Sequence, residues 1–348
     1  MILSLLINSK NIKKLEKVFD SYEKNAFDPS TFEIIVNINN DHLEMKKFLD
    51  SQIIIRKFSL KYIAEYEGDY FSGHINNSKL LKEADKSSYF ILAPSDRVLM
   101  HTKNWDNELR KYVKLFDDDI FRIRCHIFKN RKYFDFWECC FAPAPITFAT
   151  KKSLEINNNN FSPCFSDDAF QQCIYYYLEN HDNFNAKQIN RDIVDNNLKF
   201  IGGEAPEEKT YEENYIRIHG QLKCWKIITS ARVQKEAYRR AIILKCNIKF
   251  NNIINDVIIY ESGNYICVKN KLSGVIIKYK FTVNNVNIFL KNFFRKFSYL
   301  NYAGSGFKDS PYTLFFSIIW YLTYRYIFFK PVKNFFNRYF FNPRNFKK

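Results

Sequence analysis

The segment Tyr89-Phe-Ile-Leu-Ala-Pro-Ser-Asp96 joins an apolar run to an acidic residue. A short apolar run of this kind predicts a buried strand, and Asp96 then stands in the loop beyond the carboxyl end of that strand. A carboxylate in such a position is able to hold a divalent cation. Taken alone, an Asp after a strand is more typical of a turn, so the rest of the chain has to decide its interpretation.

The residues on either side of this segment alternate between strand and helix patterns. Ile12, Leu15, Val18 and Phe19 recur with the spacing of a helix, and Asp41 is placed to cap the next one. We predict strands over residues 2–7, 32–38, 53–58, 89–93 and 120–128. We predict helices over residues 11–24, 42–49, 76–86 and 104–116. Repeated β-α-β units of this size predict an α/β fold with a largely parallel sheet and right-handed crossovers.

The loops after the predicted strands are the places to look for a ligand site. In open α/β sheets, ligands bind in the crevice beyond the carboxyl ends of the strands. The loops in question span residues 8–10, 37–41, 66–74 and 94–97. They contain amides, lysine and the carboxylate of Asp96, which are groups that can contact a polar ligand.

The pattern changes towards the C-terminal end. Short segments with tight turns predict a small antiparallel β meander, with Gly263-Asn264 as one turn. Residues 207–244 are predicted to be helical in their second half, and residues 288–300 form a basic amphipathic helix. We therefore expect an α/β domain over residues 1–205, a helical connector over 206–250, a β element over 251–285 and helices over 286–348.

The last 58 residues carry eleven Lys or Arg residues and a single acid, Asp309. Aromatic residues alternate with these cations, which suits the interface of an anionic membrane. Three interpretations of the run 312–329 are open. In-plane docking is favoured by the basic flanks and the abundant Trp and Tyr. Packing on the α/β domain as a closing helix is the second, and a spanning helix is the third, although 18 residues containing Arg325 are at the short limit for spanning.

The net charge of +16 raises the question of nucleic acid as a partner. The basic excess is concentrated at the apolar and aromatic end of the chain, and no RNA- or DNA-binding signature is present. We therefore expect no nucleic-acid partner.

Cysteine usage indicates the compartment. The eight cysteines contain no C-x-x-C pair and no spacing typical of zinc sites, and the first ten residues lack the basic start of a signal peptide. Scattered thiols in such a chain indicate a reducing cytosol and free cysteines. A secreted disulfide framework is the weaker alternative.

A second acidic motif lies about seventy residues after Asp96. Asp167 and Asp168 follow Ser166 and precede the helical run 171–178. Ser166 is placed to cap this helix, and acids in a first turn interact favourably with the helix dipole. Capping accounts for one acid. The other is left to face a cleft, where a carboxylate can deprotonate a hydroxyl group.

In the order and spacing of these features, residues 1–200 resemble glycosyltransferases with the GT-A fold, of the broad inverting family 2 group. Residues 2–8 resemble the first strand of that fold and residues 33–41 its nucleotide-contacting second strand. Residues 74–96 resemble the helix and strand that end in the acidic metal motif, and residues 161–170 the acceptor-side loop with its base motif. The chain departs from the family where the D-x-D motif reads Pro94-Ser95-Asp96, and where Asn37 and Asn39 stand in place of a uracil-binding Asp.

The resemblance implies roles for individual residues. Asp96 would bind Mg²⁺ or Mn²⁺, and His219 would be a further metal ligand, although a lone His in an alternating apolar segment is more often a core or surface residue. Asp168 or Asp167 would be the catalytic base, with Asp168 the first choice because the second acid of such pairs more often faces the cleft in the family. Contacts to the nucleotide-sugar donor would come from Asn8, Lys10, Asn37, Asn39, His74 and Ser95.

The resemblance and the tail together predict a metal-dependent, inverting glycosyltransferase on the cytoplasmic face of a membrane. It would move a sugar from a nucleotide-diphosphate donor to a hydroxyl of a lipid-linked or surface-glycan precursor, and its tail would contact an anionic membrane. The alternative is a non-catalytic subunit of a membrane glycan assembly complex, which the incomplete D-x-D motif supports.

Overall fold

The N-terminal half of the chain alternates strands and helices, as predicted. The computed structural model describes residues 1–68, 72–129, 146–164, 167–180, 191–202, 227, 230–250 and 257–281. Its first elements are β1 (Leu3–Asn8), α1 (Ile12–Asn25), β2 (Phe32–Asn37), α2 (Leu43–Ile55), β3 (Ser59–Ile63), α3 (Gly73–Glu83) and β4 (Phe90–Leu92).

The next elements extend the sheet and add a helical layer. They are β5 (Val98–Met100), α4 (Trp105–Arg110), β6 (Arg122–Lys129), β7 (Ile146–Thr150), α5 (Lys151–Ile156), α6 (Asp167–Asn180), β8 (Asp192–Gly202) and α7 (Ala231–Phe250). A hairpin and a third strand follow as β9 (Val257–Ser262), β10 (Tyr265–Asn270) and β11 (Ile276–Lys280).

Among the described strands, the first eight form one mixed sheet in the order β3-β2-β1-β4-β7-β6-β8-β5. β1 pairs in parallel with both β2 and β4, and β3 pairs in parallel with β2. β7 is antiparallel to its neighbours β4 and β6, while β6 pairs in parallel with β8. The predicted α/β class with a mostly parallel sheet is thus confirmed.

The strand order reverses between β1 and β4. The chain builds outward from β1 to β2 and β3, and then returns to place β4 on the other side of β1. At such a switch point the loops after the two strands diverge and leave a crevice at the carboxyl ends. The loops that the sequence singled out after β1, β2 and β4 therefore lie at one edge of the sheet.

Side chains of β1 alternate between two apolar layers, as the period of a strand requires. Leu3, Leu5 and Ile7 pack into a cluster that includes residues of α1, α2 and α4. Leu6 faces the other side, where it joins residues of α3 and α5. Helices thus cover both faces of the parallel part of the sheet, which accounts for the nearly continuous apolar sequence of β1 and β2.

A third apolar cluster joins α6, α7 and the C-terminal strands. It contains Phe170 and Ile174 from α6, Tyr238 from α7, and Ile266 and Tyr279 from the strands. β9, β10 and β11 form a separate antiparallel sheet with β10 in the centre, and Gly263 at φ +59° makes the turn between β9 and β10. The predicted meander is therefore confirmed, and it packs on α7.

One predicted strand is wrong. Residues 53–58 were expected to form the third strand because of the run Ile53-Ile54-Ile55, but α2 continues to Ile55 and β3 begins only at Ser59. The buried side chains Met45, Leu49 and Gln52 recur with helical spacing, while the three isoleucines are exposed. The core contact is made by the helical stripe, so the β-branched run does not decide the conformation.

The part of the chain that the structure describes bears on two further expectations. Cys125, Cys173, Cys246 and Cys267 are buried free thiols, and Cys164 is a half-buried one, as expected for a chain without a disulfide framework. No helix in the described ranges is both long enough and apolar enough to cross a bilayer. The predicted helix at 288–300 and the tail to residue 348 lie outside the described residues.

Glu33 of β2 is a fully buried acid that accepts hydrogen bonds from β1, from β3 and from the segment before β4. Its Oε1 accepts hydrogen bonds from Ser4 Oγ of β1 at 2.5 Å and from the backbone N–H of Asp85 at 2.6 Å. Its Oε2 accepts from Lys61 Nζ of β3 at 2.8 Å, and this hydrogen bond raises the pKa of Lys61. A buried carboxylate is tolerated here because all its partners are in place.

We predict that Glu33→Ala lowers the free energy of unfolding by about 3 kcal/mol, because it leaves buried donors without an acceptor. Glu16→Ala, at an exposed position of α1, is the matched control and should change stability by no more than about 0.5 kcal/mol. Urea unfolding of the three proteins measures both values. Equal stability of the two variants would contradict the role assigned to Glu33.

Candidate functional site

The candidate site lies at the carboxyl edge of the sheet, beside the switch point. Ser9 follows β1, and its Oγ donates a hydrogen bond to Asp96 Oδ2 at 2.9 Å. The backbone N–H of Ser9 donates to the carbonyl oxygen of Asn37 at 3.2 Å, at the end of β2. The carboxylate after β4 is thus connected to the ends of β1 and β2, as the topology requires.

A second set of contacts joins β1 to the start of α6 through α3. Asn8 Nδ2 donates to Asn77 Oδ1 at 2.6 Å, and Asn77 Nδ2 donates to Asp167 Oδ2 at 2.6 Å. The Asn77 side chain is therefore held at both ends, which fixes its orientation and the position of the Asp167 carboxylate. We call Asn8, Asn77 and Asp167 the amide relay.

A second pair of amide side chains, those of Asn37 and Asn76, is buried near the end of β2. Asn37 Nδ2 donates to Asn76 Oδ1 at 3.2 Å, and Asn37 Oδ1 accepts from the backbone N–H of Glu65 at 3.1 Å. Asn76 in turn exchanges hydrogen bonds with the backbone of Glu67 and donates to the carbonyl oxygen of Ser72. These contacts fasten the loop after β3 to the end of β2.

Three buried polar atoms near this edge have no hydrogen-bond partner within the described residues: Asn8 Oδ1, Asn39 Oδ1 and His74 Nδ1. An unsatisfied buried polar atom costs free energy, so a ligand or water that completes it is favoured. All three belong to residues that the sequence assigned to the donor site. Two acceptor oxygens and a ring nitrogen are thus present for a polar ligand.

Lys10 is the exposed cation of the site. Its Nζ lies 4.4 Å from the centre of the Tyr66 ring, in the loop after β3. The ring restrains the ammonium group at the rim of the site, where it can contact an anionic group.

The donor set at Asp96 fits a divalent cation that is held mainly by its substrate. Mg²⁺ is commonly bound by one or two carboxylates together with substrate phosphates and water. Asp96 is half-buried and one of its oxygens is oriented by Ser9, so it can supply one such carboxylate. No group of three or more His, Cys, Asp or Glu side chains able to hold a metal is found within the described ranges.

Cys164 precedes α6 and lies close enough to Asp167 to interact with it. Burial raises the pKa of the Cys164 thiol above its ordinary value, the hydrogen bond with Ser162 opposes this rise, and the Asp167 carboxylate adds to it. The thiol therefore stays protonated near neutral pH, which makes it a poor nucleophile.

Three predicted site residues stand apart from these contacts. Ser95 is exposed, and its carbonyl oxygen accepts from the N–H of Val98 to close a turn. The backbone of Asp168 belongs to the first turn of α6, but its side chain lies outside the described residues, as does His219 altogether.

Sequence reasoning missed Asn76, Asn77 and Ser9. Asn is a weak helix former, so two adjacent asparagines inside α3 were a signal for a special environment. The abundance of Asn in this chain obscured that signal. The side chains of Asn76 and Asn77 are buried where α3 passes the ends of β1 and β2.

No protein-family model and no curated protein matches the chain. Among solved structures, S. aureus TarS 1-349 in complex with UDP-GlcNAc is similar to it, with 13% identity and a TM-score of 0.45 over 73% of this chain and 75% of that one. The mannosyltransferase PcManGT from Pyrobaculum calidifontis, in complex with GDP-Man and Mn²⁺, shows 12% identity and a TM-score of 0.44 over 71% of this chain and 75% of that one.

A glycosyltransferase involved in the glycosylation of the major capsid of PBCV-1 is also similar, with 16% identity and a TM-score of 0.30 over 56% of this chain and 83% of that one. These similarities are weak, and they assign neither a family nor a substrate to this chain.

Proposed function

We propose that this protein is a glycosyltransferase that moves a sugar from a nucleotide-diphosphate donor to a hydroxyl group. The observation that carries the proposal is the convergence of Asp96 and the amide relay at the carboxyl edge of the sheet. Two carboxylates that lie far apart in the sequence are hydrogen-bonded, directly or through Asn77, to the adjacent residues Ser9 and Asn8 at the end of β1. One carboxylate of such a pair can hold a metal ion that assists the leaving group, and the other can act as a general base.

The nucleoside would bind at the ends of β1 and β2. The orphaned oxygens Asn8 Oδ1 and Asn39 Oδ1 can accept hydrogen bonds from a base or a ribose hydroxyl. Asn37 is held by Asn76 and by the Glu65 backbone, so it would act by positioning the loop rather than by contacting the base. His74, in the first turn of α3, would offer its buried ring nitrogen to the same ligand.

The diphosphate would lie next to Asp96 and Lys10. Asp96 would hold a divalent cation, which supplies charge neutralisation for the departing diphosphate. Ser9 orients the carboxylate through its hydroxyl hydrogen bond, and Lys10 brings a positive charge to the same rim of the site. Pro94 stands where the family has another acid, so Asp96 would act without that second carboxylate.

Asp167 is the residue to which we assign the role of base. Its carboxylate accepts a hydrogen bond from Asn77, which holds it at the edge of the site. In the transfer step, the acceptor oxygen bonds to the anomeric carbon and its proton passes to Asp167. The bond from the anomeric carbon to the phosphate oxygen breaks, and the diphosphate leaves with the electron pair. Attack opposite the leaving group inverts the anomeric centre.

We infer that the acceptor is a lipid-linked or surface-glycan precursor and that the enzyme works at the cytoplasmic face of a membrane. This inference rests on the composition of the last 58 residues, whose eleven bases and many aromatic side chains suit an anionic bilayer. Confinement to a surface would concentrate the enzyme with an acceptor that is confined there too.

We predict that one nucleotide sugar among UDP-, GDP-, CMP- and dTDP-linked donors raises the melting temperature in an Mn²⁺-dependent manner, because a ligand that binds only the folded state stabilises it. Asp96→Asn should keep the fold, lose the Mn²⁺ dependence and lose most transfer activity. Asp117→Asn, at an exposed position remote in sequence from the site loops, is the control. Wild-type turnover by Asp96→Asn with saturating Mn²⁺ would show that the metal assignment is wrong. No response to any donor would favour the non-catalytic subunit.

We predict that Asp167→Asn lowers the transfer rate by roughly 10² to 10⁴-fold, the usual contribution of a general base. The fold should survive, since an amide oxygen at this position can still accept from Asn77. Asp168→Asn is the matched comparison and should cost only helix-start stability, about 0.5–2 kcal/mol. Single-turnover rates and thermal unfolding of both variants measure this. If only Asp168→Asn lowers the transfer rate strongly, Asp168 is the base, as the sequence favoured. If both variants lower the rate only slightly, neither acid at the start of α6 is the base.

We predict that the full chain binds anionic vesicles and that binding weakens with salt without vanishing, because charge attraction is screened and apolar insertion is not. A chain that ends at Asn287 retains every described element and should still bind the donor. It should act poorly on lipid-linked acceptors. If the shortened chain fails to fold, the tail is a structural element that closes the domain. If the full-length protein can be extracted from membranes only with detergent, the tail spans the bilayer.

A further inference from the structure

The β9-β10-β11 sheet has one face packed on α7, and the side chains on its other face are exposed except for Cys267. Ile266, Val268 and Tyr279 are buried in the cluster with α7, and Tyr238 of α7 donates through its hydroxyl to the carbonyl oxygen of Lys280. Side chains alternate along a strand, so the neighbours of these residues point the other way. We call that side of the sheet, together with the turn at residues 270–275, the outer face.

The outer face has a regular composition. Three cross-strand rows cross it, and each contains a lysine: Ile258–Lys269–Ile276, Tyr260–Cys267–Lys278 and Ser262–Tyr265–Lys280. The four lysines of the element, which include Lys271 in the turn, are all exposed. The one acid of β9, Glu261, pairs instead with Lys235 of α7. Lys269, Lys278 and Lys280 therefore give the outer face positive charge.

The turn between β10 and β11 presents aliphatic side chains to solvent. Leu272 is 88% exposed and Val275 is 58% exposed, on either side of Gly274 at φ +68°. Ile276 follows in β11 on the outer face and is 42% exposed. Contiguous exposed apolar groups of this kind mark interaction surfaces, since apolar groups in contact with water do not stabilise the fold.

We propose that the outer face docks on an anionic lipid bilayer, with Leu272 and Val275 inserted and the lysines at the headgroups. Charge complementarity selects this partner, because apolar groups interleaved with lysine and tyrosine match the acyl boundary and the headgroup layer. Protein interfaces are depleted of lysine, which argues against a protein partner. The docking surface is distinct from the last 58 residues and does not depend on the proposed enzymatic activity.

The face is also well placed in the chain for this contact. β11 ends at Lys280, and the basic aromatic sequence begins at Lys291. Lysines near an anionic surface and inserted aliphatic side chains both favour binding, so this face makes a measurable addition to any binding by the tail.

The test uses the full chain and vesicles of phosphatidylglycerol and phosphatidylcholine, with pure phosphatidylcholine vesicles as the uncharged arm. Leu272→Ser/Val275→Ser should weaken binding to the anionic vesicles about tenfold, and Lys269→Glu/Lys278→Glu should do so by at least about tenfold at low salt. The matched controls are Ile54→Ser, which is 83% exposed on α2, and Lys13→Glu/Lys17→Glu on exposed positions of α1. Controls should bind as the wild type does.

Hydrogen exchange with and without vesicles separates this surface from the tail. Anionic vesicles should slow exchange at residues 269–278, and this protection should disappear in Leu272→Ser/Val275→Ser while any protection after residue 291 remains. Unchanged binding by both outer-face variants would overturn the proposal. A shift of the variants from oligomer to monomer would assign the face to a second copy instead.

Discussion

The structure depends on the position of β1, which is buried on both faces and pairs in parallel with β2 on one side and β4 on the other. A central parallel strand of this kind forces the two following loops apart at its carboxyl end. Asn8 and Ser9 lie at that point, and each contacts a residue that the chain reaches much later. Ser9 meets Asp96 after β4, and Asn8 meets Asn77 and through it Asp167. The site is a consequence of where β1 ends.

At this edge of the sheet, amide side chains make hydrogen bonds that charged side chains often make in such sites. Asn37 and Asn76 are fully buried and Asn77 nearly so, and their side chains are held by one another and by the backbone. A neutral amide can be buried at much lower cost than an ion, and it both donates and accepts. The network therefore fixes the loops around the crevice without burying further ions.

The helical layer connects the proposed base to the C-terminal element. Asp167 opens α6, α6 packs along α7, and α7 supports the inner face of the β9-β10-β11 sheet. Arg240 of α7 reinforces this layer by donating to the carbonyl oxygen of Asn160 and by lying over the ring of Phe170. The β9-β10-β11 sheet is thus joined to α6 through packed side chains of α7.

The sequence alone determined the α/β class, the strands β1, β2 and β4, the helix at α6 and the meander, because each has an apolar period or a turn signal that only one local structure satisfies. It also identified Asp96 and the pair Asp167 and Asp168 as candidate site residues, since an acid that follows a strand or begins a helix can be recognised from the sequence. Tertiary structure decided the rest. It extended α2 through the three isoleucines, because the buried stripe of Met45, Leu49 and Gln52 outweighs a local β preference. It also connected Asp167 to Asn8 through Asn77, because such a link depends on which helix face meets which strand end, and no local pattern records that contact.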